Sequence, residues 1–366
     1  MRKIFLISLF FIAMFGWGFT STDLYGQVQP AIDHPTAMES PPNAMIKPEI
    51  NTKPQFRATL RARGEHDLSQ DLSRFAIMNA RACLFGNLNE WLGYQMQVDL
   101  SADGQFRILD LEARFRQSKQ FSFRIGQQII PFAQLERIVP RMVALCDLPW
   151  VAQHMSGSLR DIGITANYRF NTNFPINLTG SLINGSGNNN PVWTNSLGHS
   201  FRLQFGSVND IRFSLKTYHA KNVSLAVPRK SELYGADFRY FNNGFTVDAE
   251  IIQGKFNSNV INGIGGFLHV AKMVMFERKD LKYLEPIVRW DMMGPALKGN
   301  VFDAHRLTFG LNFGFRPFNQ TQFFRTGELR LNYAKFLGNK DVIPAHFGGN
   351  RSLLSDKLIL EFTLEI

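Results

Sequence analysis

The sequence predicts an all-β protein, a transmembrane antiparallel β-barrel of about sixteen strands whose long central link, Pro131 to Ser158, is either an external cap or a constriction folded into the pore. Three observations predict it. From residue 55 to residue 366, apolar and polar side chains alternate with period two through one segment after another, as in strands with a single apolar face. The links between these segments alternate between short and long, the asymmetry of a barrel with tight turns at one end and external loops at the other. The last segment, Leu358 to Ile366, is itself amphipathic and can pair with the first. That pairing removes the sheet edge, whose unsatisfied backbone groups would each cost several kcal/mol in lipid.

In chain order, Met1 to Gly26 reads as a secretory signal. Arg2 and Lys3 precede an almost wholly apolar run from Ile4 to Phe19, and Gly26 is a small residue before Gln27. The alternative, a membrane anchor, needs a longer apolar run. Residues 27–54 carry Pro30, Pro35, Pro41, Pro42, Pro48 and Pro54, and read as an extended lead-in. The barrel takes residues 55–366. Phe56, Ala58, Leu60 and Ala62 oppose Arg57, Thr59, Arg61 and Arg63, and Leu109, Leu111, Ala113 and Phe115 oppose Asp110, Glu112, Arg114 and Arg116. The central stretch repeats the pattern twice, in Phe121–Ile130 and Arg160–Phe170, around the long link Pro131 to Ser158. Further strands are expected near 176–183, 201–205, 211–218, 233–240, 245–252, 267–276, 283–292, 306–316, 328–336 and 357–366. Links such as Gly86–Glu90 and Asn242–Gly244 are short, whereas Gly64–Ser73, Asn184–Ser200 and Leu337–Ser355 are long.

Composition narrows the class. A mean hydropathy of −0.13, with no apolar run of about twenty residues beyond the N-terminus, excludes a bundle of spanning helices. The net charge of +10 comes from cations interspersed with carboxylates, which suits a water-lined surface or one facing anionic headgroups better than a nucleic-acid-binding tail. Two cysteines are too few for a disulfide scaffold, and no Cys/His spacing suggests a metal. Cys83 and Cys146 could form a disulfide if the long link folds inward; two free thiols are the other possibility. No catalytic arrangement or cofactor motif is recognisable, so enzyme activity is not expected.

Four motifs in this order carry a family resemblance: Arg124-Ile-Gly-Gln-Gln-Ile-Ile-Pro-Phe132, Arg160-Asp-Ile-Gly163, Leu284-Glu-Pro-Ile-Val-Arg-Trp-Asp291 and Arg306-Leu-Thr-Phe-Gly-Leu-Asn312. From about Gln55 to Ile366 the chain resembles the phosphate-selective porins O and P of Gram-negative outer membranes. The resemblance implies a sixteen-stranded barrel in the outer membrane, usually a homotrimer, with the third loop in the pore and basic residues guiding anions. The chain departs from that pattern by ending in Ile366 rather than an aromatic residue, and by offering only Arg137 and Arg141 as basic residues on the loop.

A pore selects ions through the charges on its narrowest part. Alternation places Arg57, Arg61, Arg63, Arg81, Arg114, Arg116, Arg124, Arg169, Arg202, Arg212, Arg239, Arg289, Arg306 and Arg330 on the inner face. Of these, Arg57, Arg61, Arg63, Arg114, Arg124, Arg169 and Arg289, together with Arg137 and Arg141, are the expected anion-binding set. The competing reading is that wall arginines only neutralise carboxylates such as Asp99, Asp110 and Glu112. Glu285, Arg289 and Asp291 share a face and are expected to form a lumen salt-bridge network rather than a catalytic carboxylate pair. The expected partners are small anionic solutes within, and outer-membrane lipid and lipopolysaccharide without. An esterase barrel or a purely binding barrel would use other residues.

Overall fold

A computed structural model describes residues 51–100, 106–132, 142–156, 160–222, 229–256, 261–295, 304–316, 325–338 and 355–366. The proposed signal and most of the proline-rich segment fall outside these, as do Arg137 and Arg141.

The first strands are β1 (Gln55–Asp67), β2 (Leu72–Asn87), β3 (Leu92–Asp99), β4 (Arg107–Arg116) and β5 (Phe121–Ile129). After the long link come β6 (Arg160–Arg169), β7 (Ile176–Ile183), β8 (Gly198–Gly206), β9 (Ile211–Asn222), β10 (Arg229–Asn242), β11 (Phe245–Phe256) and β12 (Ile261–Lys272). A two-residue continuation of that ribbon, β13 (Val274–Met275), is followed by β14 (Tyr283–Pro295), β15 (Ala304–Gly314), β16 (Gly327–Gly338) and β17 (Lys357–Glu365). Because β12 and β13 form one ribbon against β14, the described residues make sixteen staves. Each is antiparallel to its sequence neighbour, and β1 pairs with both β2 and β17, so the sheet closes. The seam runs from Thr59 opposite Glu365 to Asp67 opposite Lys357.

The two faces of the wall differ as alternation requires. Phe56, Leu60, Ile125, Ile164, Phe213, Leu215, Leu268, Trp290, Phe309, Leu360 and Phe362 are exposed, while Arg61, Glu112, Asp237, Arg289, Arg330 and Glu361 are buried. An apolar outside and a polar inside is the arrangement of a barrel in lipid. Leu360 stands on the outer face of β17, opposite Gly64 and Leu331. Leu360→Arg is expected to lower stability by about 2–4 kcal/mol in lipid vesicles, read from the urea midpoint. A change within about 0.5 kcal/mol, ordinary for a water-facing site, would show that this face does not meet hydrocarbon.

Two details depart from strict alternation. Between Gln97 and Val98 the register shifts, leaving Leu109 unpaired between Asp110 and Ile108. The bulge turns Leu109 inward, to 7% exposure, where alternation alone puts it beside the exposed Leu111. The expected long link 64–73 shrinks to 68–71, because Glu65, His66 and Asp67 extend β1 against Arg74, Ser73 and Leu72.

Candidate functional site: the inner wall and the segment it holds

The charges of the inner wall are unevenly shared. On β1–β8 the inward cations are Arg57, Arg61, Arg63, Arg74, Arg81, Arg107, Arg114, Arg116, Arg124, Arg160, Arg169 and Arg202, against Glu65, Asp67, Asp99, Asp110, Glu112 and Asp161. On β9–β17, with Arg325 just before β16, Arg212, Lys216, Arg239, Arg289, Arg306, Arg325, Arg330 and Lys357 meet Asp237, Asp248, Glu250, Glu285, Asp291, Glu328, Glu361 and Glu365. One half of the wall is cationic; in the other, cations and carboxylates balance.

Register explains the partners. Arg114 lies directly opposite Arg124, and Glu112 bridges both at 2.7 and 3.4 Å. Arg114 also donates to the Gln95 amide oxygen. Arg81 pairs with Asp99 at 2.9 Å. Arg57 donates to Cys83 Sγ and lies 5.0 Å over the Phe85 ring. Arg169 is half-buried and makes no ion pair among the described residues. Arg160, of the Arg-Asp-Ile-Gly motif, pairs with Asp110 at 2.8 Å, while Asp161 accepts from the Gly187 amide at 3.0 Å and so ties down the link after β7.

The opposite half is packed. Residues 142–156, between β5 and β6, bond to inward side chains of β1, β14, β15 and β16. Arg61 and Arg289 donate to the Cys146 and Asp147 carbonyls at 2.7 and 2.8 Å, and Arg306 to that of Leu148 at 3.0 Å. Asn312 donates to the Ala144 carbonyl, and the Cys146 amide donates to the side-chain Oδ1 of Asn332. Asp147 pairs with Arg63 at 2.8 Å, and the Trp150 amide donates to Asp291. Arg306 stacks 5.0 Å over Trp150. Around these contacts Phe132, Trp150, Val151 and Met155 pack with Tyr218, Leu233, Ile252, Phe267 and Phe336, an apolar core on the inner side of a polar wall. The closest approach needs a bare backbone: a Cβ on Gly310 would lie 2.3 Å from a Leu145 methyl.

Burial would raise the Asp147 carboxyl, but the charges of Arg63 and Arg306 outweigh it and hold the group well below the usual carboxylate range. A folded-state pKa below the unfolded one stabilises the attachment above the unfolded value, and that stability is lost only as pH falls through the lower one. Asp147 is therefore expected to contribute no step to single-channel conductance between neutral pH and about 4, the ordinary aspartate value. A step near pH 5 present in the unaltered protein and absent from Asp147→Asn would contradict this anchoring. Burial, with Glu361 nearby, pushes the Cys146 thiol well up.

Several expectations need correcting. Of the two possibilities for Cys83 and Cys146, the structure has the free thiols, both buried. The expected trio of Glu285, Arg289 and Asp291 divides: Arg289 and Arg306 share Asp291, whereas Glu285 turns to Arg325 and Asn312. Arg325 precedes β16, where no alternation pattern could flag it. Arg61, Arg63 and Arg289 face the wall but bond to residues 142–156 and their neighbours, so they hold the segment instead of lining free space. Arg57, Arg114, Arg124 and Arg169 remain on the cationic half. Arg114 and Arg124 keep 16% and 23% side-chain exposure, against 2% for Arg289 and 0% for Arg330.

No family profile matches the sequence, and no curated protein does. Solved structures similar to the chain include OmpF of Salmonella typhi in complex with daunomycin, at TM-score 0.61 and 13% identity, covering 86% of this chain and 98% of that one. An anion-selective porin from Comamonas acidovorans has TM-score 0.57 and 10% identity over 86% and 99% of the two chains. A trimer form of OmpT, an outer membrane protein of Vibrio cholerae, has TM-score 0.54 and 11% identity over 86% and 99%. At these identities the likeness establishes the fold, that of outer-membrane porins.

Proposed function

We propose that the chain is an outer-membrane porin that passes small anionic solutes by passive diffusion, and that residues 142–156 narrow its pore. The carrying observation is the division of the inner wall. Arginines outnumber carboxylates on β1–β8, where Arg114 and Arg124 keep access to water, while β9–β17 is neutralised and covered by the packed segment. A passing ion therefore meets the cationic half at close range, where low-dielectric walls focus its field. The anion-selective porin from Comamonas acidovorans shares the fold and supports this reading. Selectivity for phosphate, suggested by the motif resemblance, would use the planar guanidinium forks of Arg114 and Arg124. A homotrimer in the outer membrane is part of the same proposal, supported by the trimer form of the structurally similar OmpT.

The test is a reversal potential in planar bilayers under asymmetric KCl, followed by phosphate competition. Anion preference is expected, with chloride current reduced as phosphate is added. A reversal potential of cationic sign, or negligible conductance, would refute the proposal; the latter would favour a binding or structural barrel.

A further inference from the structure

Outside the pore, the wall carries a second group of chemistry-bearing side chains. His199 on β8 and His219 on β9 stand directly opposite in register, with their rings stacked at 5.1 Å between centroids and 16° between planes. Alternation puts both on the outer face, since Ser200 and Tyr218 beside them are buried and the next outward residue, Phe201, is exposed. His199 lies 5.9 Å from Phe201, at the margin of the apolar band on the long-link end of the barrel. One strand further, Glu232 pairs in register with His219 and brings Oε1 to 3.6 Å from its Nδ1. The sequence alone does not single out this row, because its members lie 20 and 13 residues apart and meet only through strand pairing.

We propose that His199 and His219 form an external binding site for one borderline divalent transition ion of the Cu2+, Ni2+ or Zn2+ class. Neutral imidazole suits these ions, and Cu2+ binds such donors most tightly of the series. Two nitrogens each about 2 Å from one ion lie roughly 3 Å apart when cis. Imidazoles stacked at 5.1 Å reach that spacing by side-chain rotation alone. The register of two antiparallel strands fixes both backbones in advance, so only side-chain rotation remains to be done on binding. Among the described residues no three His, Cys, Asp or Glu side chains already converge on one point. The ion therefore takes two imidazole nitrogens and water, with the Glu232 carboxylate the nearest further oxygen. This proposal does not depend on pore selectivity.

The test uses purified, folded protein without an affinity tag, titrated with Cu2+ at neutral pH and read by electron paramagnetic resonance and equilibrium dialysis. One bound equivalent with nitrogen hyperfine structure is expected, lost in His199→Ala and in His219→Ala and retained in His66→Ala, a histidine elsewhere on the wall. Heat-modifiable migration checks folding, and His219→Gln replaces any alanine variant that fails it. An equivalent that survives removal of either imidazole, disappears in His66→Ala, or is absent from the unaltered protein overturns the proposal.

Discussion

Exchanging Arg114 and Arg124 together for glutamine is expected to weaken the anion preference of the pore about tenfold. The two guanidiniums flank Glu112 and outnumber it, so the wild-type cluster carries net positive charge. Removing both strips that carboxylate of its two cations, leaving Arg57, Arg116 and Arg169 as the positive charge on the exposed half of the wall. A unit charge about 4 Å from a passing ion is worth about 1 kcal/mol in water, and the change spans two units. Screening over a length of about 10 Å at 0.1 M salt reduces this. An approximately tenfold fall in the anion-to-cation permeability ratio is the outcome sought in asymmetric KCl. The matched control is Arg289→Gln, whose side chain is occupied by Asp291 and the Asp147 carbonyl. Should the control move the ratio as far as the double variant, the cationic half would not be the selective surface.

The largest stability effect is expected from Glu361→Ala. Glu361 is fully buried and accepts from Arg61 at 3.0 and 2.9 Å and from Arg330 at 3.2 Å. Removing a carboxylate shared by two buried arginines leaves uncompensated charge away from water, a loss of about 3–5 kcal/mol. Glu361→Gln keeps the shape and an acceptor, and should fall between. The denaturant midpoint of the folded barrel in detergent or lipid measures both. A shift under about 1 kcal/mol would mean that water reaches this network.

Both variants depend on a distinction that the sequence does not contain. Period two is a local property, and it sorted Arg57, Arg114, Arg289 and Arg330 onto one face along with the strand count and the closing pairing of the last strand. Whether a wall arginine meets water or a protein carbonyl depends on what lies across the lumen. Arg61 reaches Cys146 85 residues away and Arg306 reaches Leu148 158 residues away, contacts that no alternation pattern encodes. The same holds for Glu285, which looks like the partner of Arg289 because the two share a strand face, yet is taken by Arg325 from outside any strand. Leu109 was misplaced for a different reason: one extra residue in β4 breaks the period, and nothing in Ile108-Leu109-Asp110 announces it. His199 and His219 became neighbours only through register.

The seam between β1 and β17 has a kinetic consequence. Thr59 and Glu365, which touch across it, are 306 residues apart in the chain. Joining them closes a very long loop, whose entropy must be met before the contact returns anything. High contact order of this kind slows folding. Until the final ribbon has been synthesised and delivered, every partial sheet presents open edges at both flanks, and such edges recruit strands from other chains. A chain of this design therefore closes its barrel only when its last strand meets its first.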